Sequence, residues 1–103
     1  MLISRVYNNN NFYTKIKLPS LLYNKYLIKW QPNSASIIHG HDYTGKFMLI
    51  HGKMHEIIYD ENELKKSQKN LNLYEENNVD KIMKHKMINI NDKLSFTYHV
   101  DDK

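Results

Sequence analysis

The stretch Trp30–Gly52 reads WQPNSASIIHGHDYTGKFMLIHG, and it decides the fold prediction because two histidines follow a short apolar run. His39 and His41 are two residues apart, so on a β-strand both imidazoles leave the same face. Two neutral imidazoles on one face can bind a borderline metal such as iron(II), zinc, copper or nickel. The stretch therefore predicts part of a metal site, with a third ligand contributed from elsewhere in the chain.

Short apolar or alternating segments separated by turns occur on both sides of this stretch. They predict strands at 13–18, 21–30, 36–41, 47–50, 54–59, 87–90 and 94–100. Gly52 and Lys53 are predicted to form the tip of a hairpin between 47–50 and 54–59. Short strands spaced by roughly 8–12 residues, without a strand–helix–strand rhythm, are typical of an all-β sandwich or barrel.

Two segments have weaker patterns. Residues 1–12 carry few organising signals, and their asparagine run, Asn8–Asn11, is expected to form a loop or a frayed start. Residues 60–80 are rich in Glu, Asn and Lys and are expected to be a surface excursion with one helical turn. The last strand is clearer, because its side chains alternate between an apolar and a polar face, and this alternation places His99 on the polar face.

Length and composition limit the possible functions. With 103 residues, the chain has room for one domain, predicted at 1–103, and one modest core. It contains no cysteine, so any metal must be bound through nitrogen and oxygen. No stretch is apolar enough for a signal peptide or a transmembrane helix, which predicts a soluble cytoplasmic protein. The net charge of +4 is spread over scattered lysines, so neither nucleic acid nor a membrane is predicted as a partner.

The Trp30–Gly52 stretch resembles the first motif of the cupin superfamily, whose members are small jelly-roll barrels with a metal inside. Most metal-binding cupins carry a glutamate ligand four or five residues after the second histidine, where this chain has Gly45 and Lys46. Loss of that carboxylate is the hallmark of the thiol dioxygenase branch, which includes the cysteine dioxygenases and holds iron with three histidines. Residues 36–41, SIIHGH, resemble that branch's Ser-Ser-Ile-His-Asp-His. The resemblance implies an all-β cupin jelly-roll barrel, either incomplete in this chain or completed by a second copy.

Two further matches to the same branch imply site residues. Residues 90–92, IND, and 99–102, HVDD, resemble its Ile-Asn-Asp and His-Arg-Val-Glu-Asn, which implies His99 as the third metal ligand beside His39 and His41. Residues 13–15, YTK, resemble its Tyr-Thr-Arg, whose arginine binds the substrate carboxylate. Lys15 keeps the positive charge without the bidentate fork, so it is either a substrate-binding residue or an ordinary strand-edge lysine.

Other polar residues have simpler expected roles. A cation that faced an iron centre would oppose metal binding, so the ammonium of Lys46 is expected to turn outward. Asp42 or Asp101 is expected to hydrogen-bond a metal-binding imidazole. The remaining histidines are expected at the surface and outside the metal site; they are His51, His55 and His85.

The resemblance implies an iron(II)-dependent thiol dioxygenase that adds both atoms of dioxygen to a thiol and produces a sulfinic acid. Its substrate would be cysteine, a related small thiol or the N-terminal cysteine of a peptide. A second hypothesis is a shortened cupin that keeps the barrel as a metal-binding, ligand-binding or structural protein without dioxygenase activity. A third is a basic nucleic-acid-binding β-domain, which predicts salt-dependent binding. Exposed edge strands in so short a barrel also favour a homodimer.

Overall fold

The computed structural model describes residues 2–8, 11–41 and 43–102, with side chains from residue 13 onward. Within these ranges the chain forms nine strands: β1 (Leu2–Asn8), β2 (Asn11–Leu18), β3 (Tyr23–Trp30), β4 (Gly45–His51), β5 (His55–Tyr59), β6 (Lys65–Asn70), β7 (Asn77–Val79), β8 (Lys84–Ile88) and β9 (Ser95–Asp102). The strands pair antiparallel in two sheets, one of six strands in the order β1-β2-β3-β9-β4-β7 and one of three in the order β6-β5-β8. The all-β prediction is confirmed. No helix in the described ranges is long and apolar enough to cross a membrane.

The core lies between the two sheets. Trp30 on β3 and Phe47 on β4 come from the larger sheet, and Met87 on β8 comes from the smaller one. Met54 and Leu71, which lie just outside the strands, join the same buried cluster. Burial of apolar surface at roughly 25 cal/mol per Å² is the main stabilising contribution to such a sandwich. The two sheets therefore enclose a shared interior.

The alternation of β9 is confirmed, and the face that carries polar residues points into the molecule. Ser95 and Thr97 are fully buried, whereas Phe96 and Tyr98 are only partly buried. Thr97 Oγ1 accepts a hydrogen bond from Trp30 Nε1 at 2.9 Å. Because the hydroxyls of Ser95 and Thr97 both have hydrogen-bond partners, this polar strand face can line the interior without a large desolvation cost.

The predicted strand at 36–41 is wrong. Only Ala35 and His39 form isolated bridges, to Ile88 and His85 on β8. Between these bridges the Met87 backbone N–H donates to the side-chain hydroxyl of Ser36 at 3.0 Å instead of to a backbone carbonyl. Because a side chain replaces a backbone acceptor there, the backbone hydrogen bonds between residues 35–39 and β8 are interrupted. The segment therefore runs beside β8 without forming a regular strand.

The predicted hairpin between 47–50 and 54–59 is also wrong, although both segments contain strands. β4 pairs with β9 and β7 in the larger sheet, whereas β5 pairs with β6 and β8 in the smaller one. The link is held against β9, since Lys53 N–H donates to Ser95 Oγ at 3.0 Å. Gly52 has a φ of +87°, and a Cβ there would also lie 2.8 Å from the Leu94 carbonyl oxygen. Glycine thus permits a link that crosses from one sheet to the other.

Two segments with weak sequence patterns contain strands. β1 pairs along its length with β2, and Asn9 and Asn10 of the asparagine run lie outside the described residues. In the 60–80 segment, β6 and β7 take the place of the expected helical turn. Every residue of β6 is exposed. The expected surface position of this segment is therefore confirmed for β6, but an edge strand with both faces in solvent has no apolar alternation that would reveal it as a strand.

Candidate metal centre

Three histidine side chains meet between the sheets. His39 lies at a bridge to β8, His41 follows two residues later, and His85 lies on β8 itself. The Nε2 atom of His85 is 3.0 Å from Nε2 of His41 and 3.1 Å from Nε2 of His39. One nitrogen atom from each ring lies within 4.8 Å of the other two. The structure thus brings His39 and His41 together, and the third imidazole beside them is that of His85.

The expected surface position of His85 is wrong. Its residue exposure is 7%, and it shares the inward face of β8 with Met87 while Lys84 and Lys86 point the other way. The carboxylate of Glu56 on neighbouring β5, which is 3% exposed, accepts a hydrogen bond from His85 Nδ1 at 2.8 Å. Glu56 was not considered from the sequence. A buried carboxylate that holds the outer nitrogen of a histidine is the usual support of a metal ligand.

The sequence contained signals for His85. In the run Lys84-His85-Lys86-Met87 a strand period places both lysines on one face and His85 with Met87 on the other. The His-Arg-Val-Glu-Asn pattern compared with His99 also fits His85, because Asn89 stands four residues after it. The residue four after His99 is a lysine.

The hydrogen bonds at Nδ1 determine what the Nε2 atoms can do. His39 Nδ1 lies 2.9 Å from the Ile37 carbonyl oxygen, and His85 Nδ1 lies beside the Glu56 carboxylate. Both partners are acceptors, so each Nδ1 carries the hydrogen, and in the neutral ring Nε2 presents a lone pair. In these tautomers two lone pairs face each other at 3.1 Å, an arrangement that a cation between them would stabilise. Two nitrogen ligands about 2.1 Å from one ion and at right angles lie ~3.0 Å apart, so the donor set fits a transition metal.

The surroundings favour neutral imidazoles. Burial, followed by the neighbouring His85, lowers the pKa of His39, and the same two causes lower the pKa of His41 to about 4. A metal competes with protons for histidine nitrogen, so a lowered pKa leaves the nitrogen free for metal at neutral pH. Whether these residues bind a metal stays a prediction.

His99 lines the same space but does not join the group of three. Its ring stacks on Phe47 with centroids 5.3 Å apart, and the centroid of the His85 ring is 6.0 Å from that of Phe47. His99 Nε2 lies 2.7 Å from Thr97 Oγ1. Burial, followed by His85, lowers the pKa of His99 to about 3, so the ring is neutral. His99 therefore lies on the wall of the same cavity, but its Nε2 is in contact with Thr97 Oγ1.

A cavity of about 260 Å³ opens beside the three histidines. Its wall on the larger sheet includes Lys15, Tyr26 and Asp101. The Lys15 ammonium lies 3.9 Å from the centroid of the Tyr26 ring. Burial lowers the pKa of Lys15, and the Asp101 carboxylate opposes this shift. Lys15 thus faces the cavity, and its substrate-binding role stays a prediction.

The roles expected for Lys46, Asp42 and Asp101 have different outcomes. Lys46 turns outward as predicted and pairs with Glu76 at 2.7 Å on the surface. Asp42 lies outside the described residues. Asp101 hydrogen-bonds to Tyr43, whose hydroxyl is in turn 2.9 Å from His41 Nδ1. Asp101 therefore acts on the imidazole only through a phenol.

Comparison with models of known protein families finds no match, and no curated protein sequence matches. Solved structures do match. The Drosophila melanogaster CENP-C cupin domain has a TM-score of 0.75 at 12% identity, over 97% of this chain and 75% of that one. Fe(II)-HppE with the alternative substrate (S)-1-HPP has a TM-score of 0.81 at 14% identity, over 97% of this chain and 55% of that one.

An oxalate oxidase gives a TM-score of 0.74 at 12% identity, over 92% of this chain and 52% of that one. At these identities the likeness concerns the fold and not the activity. The matched proteins include an iron(II) protein and a domain described as a cupin. The two antiparallel sheets of this chain, with the histidines between them, have the cupin jelly-roll fold.

Proposed function

We propose that the protein binds a divalent transition metal through Nε2 of His39, His41 and His85, and that with iron(II) it oxidises a small thiol to a sulfinic acid. The observation that carries the proposal is the convergence of three Nε2 atoms, two pairs of them 3.0 and 3.1 Å apart, inside a cupin fold. His85 takes the place that the resemblance to thiol dioxygenases gave to His99.

The composition of the donor set supports a thiol dioxygenase more than other cupin enzymes. Among the described residues the group holds three imidazoles and no carboxylate. The position where most cupins carry a glutamate ligand is occupied by Gly45 and by Lys46, which points away. Three neutral ligands leave coordination positions for substrate, and iron(II) supplies the redox chemistry that lets dioxygen react with sulfur. Both oxygen atoms go onto sulfur, so the reaction needs no further reductant.

The chain's own residues bind and orient the substrate. Lys15 is the cation that faces the cavity, and it can pair with the carboxylate of a cysteine-type thiol. Trp30, with 2% exposure, lines the cavity and excludes water from that part of its wall. The Nδ1 partners Glu56 and the Ile37 carbonyl oxygen hold the imidazoles in one orientation. A cavity of about 260 Å³ suits a small molecule or a single terminal residue of a peptide.

A second candidate is a cupin without oxygenase activity, which binds a metal, a ligand or another protein. The similarity to the CENP-C cupin domain, which has been solved bound to CAL1, favours this candidate. This candidate has the same fold as the thiol dioxygenase candidate, but it would not oxidise a thiol.

Metal content and oxygen uptake distinguish the candidates. The full chain is purified, its metals are measured, and it is reconstituted anaerobically with iron(II). Oxygen consumption and sulfinic acid formation are then followed with cysteine, cysteamine and a peptide with N-terminal cysteine. We expect one metal per chain, oxidation of at least one thiol, and loss of both in His85→Ala. His51→Ala, at an exposed histidine, is the matched control. Metal binding without oxidation of any thiol would leave only the second candidate.

A further inference from the structure

The three grouped histidines differ in what holds their outer nitrogen. His39 bonds to a backbone carbonyl and His85 to a carboxylate, whereas His41 Nδ1 lies 2.9 Å from the hydroxyl of Tyr43. Tyr43 in turn hydrogen-bonds to the carboxylate of Asp101, which is 6% exposed. His41 is therefore connected to a buried carboxylate through one intervening phenol.

Space for this carboxylate comes from Gly45. Gly45 pairs with Asp101 across β4 and β9, and a Cβ at position 45 would clash with Asp101 Oδ1 and lie 2.9 Å from the Val100 carbonyl oxygen. Its backbone does not require glycine, because among the described glycines only Gly52 has a positive φ. Gly45 also stands where most cupins carry a glutamate ligand. The missing side chain leaves room for the carboxylate of Asp101.

The order of donors along this chain of hydrogen bonds follows from chemistry. An ionised carboxylate only accepts, and a phenol has a single hydrogen, so Tyr43 donates to Asp101. The phenol oxygen is then left to accept from His41 Nδ1–H. With the hydrogen on Nδ1, the lone pair of His41 is on Nε2, which faces His85 Nε2 at 3.0 Å. All three imidazoles thus present Nε2 lone pairs to the same point.

We propose that Asp101, acting through Tyr43, is a positioning residue that fixes His41 in the tautomer with hydrogen on Nδ1, and that Gly45 provides the room for it. The carboxylate of Asp101 acts here through two hydrogen bonds, one between Asp101 and Tyr43 and one between Tyr43 and the imidazole. This inference rests on the metal site of the proposed function and not on its thiol chemistry. Loss of such an outer partner lowers metal affinity by about 10–100-fold in comparable sites.

The tautomer of His41 can be measured by NMR in the metal-free protein. The full chain, labelled with ¹⁵N-histidine and kept in chelator, is studied by long-range ¹H–¹⁵N correlation spectra. The wild type is expected to show His41 with an unprotonated Nε2. In Tyr43→Phe and Asp101→Asn the population with hydrogen on Nε2 is expected to rise. Tyr74→Phe and Asp92→Asn, at exposed residues, are the matched controls and should leave the His41 signals unchanged.

Metal affinity gives the second measurement, by competition of cobalt(II) between each variant and a chelator. Tyr43→Phe and Asp101→Asn should each weaken binding, by about 10–100-fold for the phenol. The double variant should bind no more weakly than Tyr43→Phe, because residues in one hydrogen-bond chain are not additive. A His41 with hydrogen on Nε2 in the wild type, unchanged affinity in Asp101→Asn, or additive losses would overturn the proposal. If the wild type binds no cobalt(II) while the tautomers respond as expected, the proposed function fails and the positioning role stands.

Discussion

Replacement of Glu56 by glutamine separates the charge of this carboxylate from its shape. Glu56 Oε2 accepts from His85 Nδ1 at 2.8 Å, and both side chains are buried. Glutamine fits the same space and still offers an oxygen to Nδ1–H. A hydrogen bond to a charged group contributes about 1.5–3 kcal/mol and a neutral one about 0.5–1.5 kcal/mol. In Glu56→Gln the hydrogen bond to His85 should therefore be weaker by ~1.5 kcal/mol, which corresponds to a metal affinity about tenfold lower.

Glu56→Ala should lose more than Glu56→Gln. It leaves the buried Nδ1–H of His85 without an acceptor, which costs a further ~1–3 kcal/mol. The expected loss of affinity then approaches a hundredfold, the upper end of the range of about 10–100-fold for outer partners of metal-bound histidines. The order of affinity is predicted to be wild type, then Glu56→Gln, then Glu56→Ala.

Chelator competition with cobalt(II) or zinc measures these affinities, and thermal unfolding of each variant without metal shows whether the fold is kept. Glu76→Gln is the matched control, because Glu76 is an exposed carboxylate that pairs with Lys46 on the surface. It should bind metal as the wild type does. If Glu56→Gln and Glu76→Gln have the same affinity as the wild type, Glu56 does not support a metal ligand and the reasoning fails.

Three further predictions concern the same interior. Thr97→Val removes the acceptor of Trp30 Nε1–H and the partner of His99 Nε2, so urea unfolding should show a loss of about 2–5 kcal/mol; a smaller loss would mean that these groups find other partners. His41 and His99 have pKa values lowered from 6.5 to about 4 and about 3, so the unfolded chain takes up protons first as pH falls. The melting temperature in chelator should therefore be constant above about pH 7 and fall as pH drops through 6.5 towards 4, and a flat profile would contradict the burial of these rings. If the protein oxidises thiols, Lys15→Met should raise the KM for cysteine and leave that for cysteamine unchanged, since only cysteine has a carboxylate; equal changes would remove Lys15 from substrate binding.

The parts of the fold that could be predicted are the strands in which one face is buried, because buried and exposed side chains then alternate along the sequence. β3 and β9 each bury one face, so their alternation is visible in the sequence. β6 buries neither face, and its polar sequence carries no period. The pairing of β4 and β5 was mispredicted because a local turn signal, Gly52-Lys53, does not reveal which sheet the next strand joins. That choice depends on Ser95, which is more than forty positions away and holds Lys53.

The site was predicted in part for a similar reason. His39 and His41 are close in the sequence, so their proximity needs no tertiary information. His85 and Glu56 meet only because β5 and β8 pair, and no local pattern links them. His99 was favoured because its flanking residues resemble a known motif. The side chain of His99 instead places Nε2 against Thr97 Oγ1, an orientation that the flanking motif does not reveal.

The bridge between His39 and His85 has a consequence for the order in which a metal would be released. Their backbones exchange two hydrogen bonds, His39 N to His85 O at 3.0 Å and His85 N to His39 O at 2.9 Å. Such a reciprocal pair holds two Cα atoms about 5.5 Å apart, so these imidazoles stay together even when nothing lies between them. Among the described residues no such backbone pair holds His41, whose position depends on its side-chain hydrogen bonds. We expect loss of the His41–metal bond to set the dissociation rate of a bound ion, measured by stopped-flow transfer of the ion to a chelator. His39 and His85 stay together after the ion leaves, so they form the pair to which the next ion binds first.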